Sequence, residues 1–256
     1  MPAAWIDTPT MGIVRGGIAR GFRWLSITLV VYACSAVMAS LSAGMWLLAI
    51  DTSNRRDPMS GAFNLAGGVT TLAAALLALA ALVLLLVGSS LLRPSLEFSL
   101  GSPYPVLRWY RTALAGSFSL GAITALAVLG LMFSRGRVGI LGPAVLVLTG
   151  ATAVALLAAV LLPLHALGSQ TRKVLLWIVT ALSLATIIAE AVLPLGAISG
   201  ISQPTNWLTF GGYPLFNWHL VFGAIVAGCS IFFARGYWTL ASNFARRGPW
   251  TGAYPA

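Results

Sequence analysis

One carboxylate, Glu190, stands inside the apolar stretch SLATIIAEAVLPLG. An ionisable group in lipid is costly to keep there and by default marks a functional site. The chain also holds two imidazoles, His165 in LLPLHALG and His219 in FNWHLVFG. A carboxylate and an imidazole together make the donor set of a proton relay or a cation site. The same pair suits a structural lock between two helices, and Glu190 by itself suits a group that reaches the headgroups and does little. Arg135 and Arg137 are rival partners for the carboxylate. Lys173 marks the inner end of the same run, and seventeen residues at ~1.5 Å each carry Glu190 about 25 Å along the axis, into the outer leaflet. His219 enters its own run from that outer side.

Other chemistry finds little support. His165 belongs at the inner end of one run and His219 at the outer end of another, so they cannot clamp one haem iron between them. Cys34 and Cys229 each lie in an apolar run, with neither disulfide nor zinc spacing, and read as small buried apolar residues. There is no H-E-x-x-H and no G-K-[ST] phosphate loop. No cofactor is implied, and the balance leans against an enzyme.

The elements that must position these residues follow from composition. Of 256 residues, 59% are hydrophobic and 8% charged, where soluble domains carry roughly 25% charged. Continuous apolar runs exceed the ~18–20 residues that cross a bilayer. They do not alternate as barrel strands do. The fold class expected is an all-α integral membrane bundle of six transmembrane helices, near 25–50, 64–92, 109–134, 138–166, 174–195 and 218–241. Arg93-Pro94 is expected to stop the second. The opening segment lacks the compact core and cleavage site of a signal peptide, so the first run is expected to be retained.

The net charge of +10 fits cytoplasmic loops against anionic headgroups better than nucleic acid, for which no motif is present. With the N-terminus inside, Arg15, Arg20, Arg23, Arg93, Arg108, Arg111, Arg172, Lys173, Arg246 and Arg247 fall inside. Arg55, Arg56, Arg135 and Arg137 fall outside. Arg235, at the inner end of the last run, is left uncounted. This bias gives an N-in, C-in orientation. Residues 1–24 are then a basic cytoplasmic tail or surface helix, weakened by four glycines between 12 and 24. Residues 242–256 are a cytoplasmic tail.

Residues 196–217 form an uncharged outer loop bent by Gly211-Gly212 and Pro214. Its Trp207, Phe210, Tyr213 and Phe216, with Trp218 just beyond, suit an interfacial cap or a partner-facing surface. Asn64 and Asn217, each after Phe, are plausible helix caps. Ala113, Gly116, Gly121, Ala125 and Gly130 in the third run, and Ala224 and Gly228 in the sixth, suggest close packing faces. The second run reads as the lipid-facing wall, and no long-period repeat emerges.

The function this pattern supports is a non-catalytic multi-pass subunit or scaffold of a larger membrane assembly, in a cell inner or plasma membrane or an equivalent energy-transducing one. Its partners are the bilayer and other membrane subunits. A small permease component with a Glu190/His219 site, its path lined by Thr and Ser of spans 3 to 5, is the alternative. A cofactor-binding electron-transfer subunit is the second.

Overall fold

Long apolar runs deprive the backbone of water to bond, and helices meet that need within the segment. The computed structural model describes residues 8–54, 58–100, 105–133, 141–167, 173–198, 208–210, 213–216 and 218–246. Within them the chain forms α1 (Thr8–Asn54), α2 (Ser60–Leu100), α3 (Pro105–Phe133), α4 (Leu141–Leu167), α5 (Lys173–Ile198) and α6 (Trp218–Arg246). A small hairpin, β1 (Leu208–Phe210) and β2 (Tyr213–Phe216), precedes α6. Among the described residues, three helices are long and apolar enough to cross a membrane, through Gly16–Ser42, Ser60–Leu92 and Leu220–Ala245. Shorter apolar stretches run through Gly150–His165 in α4 and Lys173–Ala189 in α5.

The 47 residues of α1 extend about 70 Å at ~1.5 Å per residue. Residues 8–24, expected as a basic tail or surface helix, are continuous with this helix. Packing explains the difference. Ile18, Phe22 and Leu25 recur on one face and are 0–3% exposed, and their burial outweighs the poor helix propensity of the glycines. Gly21 lies so close to α2 that a Cβ there would sit 2.9 Å from the Leu92 Cβ. Two other expectations also shift. The second helix passes Arg93-Pro94 and ends at Leu100, because a proline removes one rung of the ladder without obliging the chain to leave it. Asn64 is not a cap, since the Phe63 N–H already donates to the Met59 carbonyl at 3.1 Å, one turn earlier. Asn217 lies outside the described residues.

Helix α1 packs along α2 on one side and α6 on the other, while α3 packs on α4, α4 on α5, and both α4 and α5 lean on α6. Small residues make the α1–α2 contact. Gly21, Thr28, Ser35 and Ser42 recur every seventh position of α1, and Gly67, Ala74, Ala81 and Gly88 do so in α2; all eight are buried. The seven-residue period keeps one seam in register between two helices. In lipid there is no hydrophobic drive between helices, so close van der Waals contact and hydrogen bonds must hold them. Ser35 Oγ donates to the Ala74 carbonyl at 2.9 Å, and Ser42 Oγ donates to the Gly67 carbonyl at 3.2 Å. Ser35→Ala is expected to cost about 0.6 kcal/mol, the usual scale for such bonds in a bilayer. Ser35→Leu is expected to cost several times more by forcing the seam apart. Thermal unfolding of the two variants in one detergent measures the ratio.

The α1–α6 contact follows the same rule. Gly223, Ala227, Ser230, Ala234, Tyr237 and Ala241 are all buried, and Ser26 Oγ donates to the Ala234 carbonyl at 2.8 Å. Ala224 and Gly228, expected as the packing face, are exposed on the other side of α6. Along this contact the Arg23 guanidinium lies 5.9 Å from the Trp238 ring centroid, a cation–π distance.

Candidate functional site

Between the α1–α2–α6 layer and the α4–α5 pair lies a cavity of about 800 Å³. Every helix but α3 contributes to its wall, and no lining residue falls in the first or last turn of its helix. The described wall is mainly Ala, Leu, Val and Phe, and none of its described residues is charged. Its hydroxyls come from Thr28, Tyr32, Ser35, Ser40, Ser183 and Ser230. Most have already spent their protons. Thr28 donates to the Trp24 carbonyl at 2.8 Å and Ser40 to Ala36 at 2.9 Å. Ser183 donates to Val179 at 2.8 Å and Ser230 to Val226 at 2.7 Å. What these groups present to the cavity is a few oxygen lone pairs on an apolar wall.

The mouth is at α2. Leu79 and Leu82 line the cavity yet are 58% and 40% exposed, and α2 and α4 face each other there without packing together. Val160, which lines the cavity, is also held from outside it. The Tyr237 hydroxyl donates to the Val160 carbonyl of α4, and its ring lies 5.7 Å from that of Phe22. Tyr110 of α3 is 4% exposed, and its hydroxyl finds no hydrogen-bond partner among the described residues. It lies beside Ser89 without closing a bond of good geometry. Ser89 gives its own proton to the Leu86 carbonyl at 3.0 Å, so its oxygen keeps lone pairs that a small rotation of Tyr110 would reach.

The expected site residues are distributed differently. Glu190 lies on α5 and His219 is the second residue of α6, helices that pack together; the side chains of both fall outside what is described. Arg135, Arg137 and Trp207 lie outside the described residues. Phe210 and Tyr213 are directly paired across the β1–β2 hairpin, Leu208 pairs with Phe216, and β2 touches α1. Trp218 opens α6. His165 clasps α4 to α5. Its Nε2 is 3.4 Å from Thr180 Oγ1, and its ring centroid is 4.3 Å from that of Trp177. Thr180 already donates to the Leu176 carbonyl at 2.7 Å, so the imidazole must donate to it from Nε2.

Thr124 and Thr152 meet at 3.1 Å between α3 and α4, Thr180 holds His165, and Ser183 faces the cavity. Among the described residues there is no cluster of three metal-ligating side chains. Reading the sequence missed the contributions of α1 and α6 to the cavity and the bridge made by Tyr237. The seven-residue recurrence of Gly, Ser, Thr and Ala in α1 and α2 is the signal that points to the cavity-facing helices.

Among the described residues, fold and site define an all-helical protein with three membrane-length helices beside a largely apolar chamber. Comparison with protein-family models, with curated proteins and with solved structures returned no match.

Proposed function

We propose that this chain is a six-span, N-in and C-in membrane protein that serves as a non-catalytic subunit or scaffold in a larger assembly. The distribution of Arg and Lys supports the orientation. One observation carries the subunit reading. Helix α2 packs on α1 by its small-residue seam and leaves a second, bulky seam uncovered among the described residues. Leu65, Leu72, Leu79 and Leu86 alternate there with Val69, Leu76 and Val83, and each is between 47% and 72% exposed. Leu at one heptad position and mostly β-branched residues at the other is the pattern that pairs two helices. Ala66, Ala73 and Ala80 flank it, and small flanking residues let a partner backbone approach in lipid.

The test introduces one cysteine at a time in a Cys34→Ser background, leaving Cys229 in place because it is buried while Cys34 is exposed. Leu72→Cys and Leu76→Cys are expected to crosslink in native membranes to one discrete adduct. Leu126→Cys, on an exposed part of α3, is expected to give none. Equal crosslinking from all three positions, or a solitary chain after mild solubilisation, would sink the reading.

A further inference from the structure

We propose that the central cavity is a binding site for one uncharged hydrocarbon chain, the tail of a membrane amphiphile, which enters sideways between α2 and α4. Its volume of about 800 Å³ lies within the ~300–1,000 Å³ of ligand pockets in general. The chemistry of the wall selects the occupant. Among the described lining residues a phosphate or carboxylate would find no cation, and an ammonium would find no carboxylate. The serine and threonine protons are held by carbonyls, four of the five within their own helices and that of Ser35 across to Ala74. A string of ions or waters would thus meet few donors and long apolar intervals. A methylene chain matches those intervals, and one hydroxyl or amide along it can donate to a Ser or Thr oxygen.

Position gives the same occupant. The lining residues belong to the middle of helices that include all three membrane-length ones, so the mouth beside Leu79 and Leu82 opens at the depth where lipid tails lie. Ala78 stands on that lip, exposed and part of the lining. Opposite it, Ala36, Ala39 and Ala153 keep the walls apart because they are short. The lining residues all belong to this chain; Leu79 stands both on the lip and on the α2 seam given to a partner, so a partner seated on that seam would border the entry.

The experiment uses the full chain in nanodiscs containing a phosphatidylcholine with a diazirine in one acyl chain, followed by peptide mapping of photo-adducts. Adducts are expected at 28–40, 150–160 and 223–233 as well as at outward residues such as Ile178. Ala78→Trp narrows the mouth from an exposed position with little effect on packing, and Ala153→Phe fills the interior. Each is expected to lower the cavity adducts about tenfold, one decade of affinity, with labelling at Ile178 unchanged. Competition by a long-chain isoprenoid alcohol, without competition by unlabelled phosphatidylcholine, would assign the tail to a single-chain lipid; the reverse would assign it to a phospholipid. Cavity adducts that persist in both variants, or adducts confined to outward residues, would overturn the proposal.

Discussion

Gly223→Ala is expected to push α6 off α1. A Cβ at this position would overlap Ser40 Oγ, lie 2.6 Å from Ser40 Cβ and 3.3 Å from the Ala36 carbonyl. Rotating the serine relieves the first contact but not the second, because a Cβ moves only with its backbone. Overpacking of this kind typically costs ~1–3 kcal/mol, and Gly223→Val exceeds it. The same chain offers its own control. Ser40→Gly removes the atom in the way and should recover most of the stability of Gly223→Ala, leaving the tight Ala36 contact. Thermal unfolding of the single and double variants in one detergent measures this. An equal loss with and without Ser40→Gly would mean that the α1–α6 contact is not where the helices are held.

Tyr237→Ala is the second large effect expected. The side chain is 1% exposed, packs against Phe22 and ties α6 to the Val160 carbonyl. Truncating a buried aromatic ring to Ala typically costs ~3–5 kcal/mol, through lost contacts and the void that remains. Tyr237→Phe keeps the ring and loses only the hydroxyl, so about 1 kcal/mol is expected. Val160 comes three residues before Pro163, in a turn where the proline has already removed a backbone rung. The phenol therefore steadies α4 at its weakest point, beside the cavity. Both variants should also let α4 drift from α6 and raise photo-labelling at 150–160. Equal destabilisation by Ala and Phe would place the energy in the hydrogen bond and count against the packing account.

Much of the helical content was legible because apolar runs of this length have few alternatives in lipid. The faces of the helices were harder. Gly223 and Ala224 are neighbours, as are Ala227 and Gly228, so four-residue spacing fits either side of α6 equally well. Only the longer series through Ser230, Ala234 and Ala241 separates the two. The first turns of α1 were misjudged because glycine propensity describes an isolated helix. At Gly21 the missing side chain is what admits Leu92. The cavity was illegible for a different reason: it is built from ordinary Ala, Leu and Ser residues on five helices, and no short motif contains it. Glu190 and His219 stood out because they are chemically rare, which says where cost is concentrated but not which groups meet.

The two serine seams differ in how far apart along the chain they join residues. Ser42 reaches Gly67 across 25 positions, whereas Ser26 reaches Ala234 across 208. Nearby segments find one another quickly, and distant ones must wait. During synthesis α1 and α2 can zip together while the remaining helices are still unmade. Helix α6 arrives last, and its docking turns an early hairpin into a finished wall. A chain interrupted before α6 would hold a sound hairpin and no chamber.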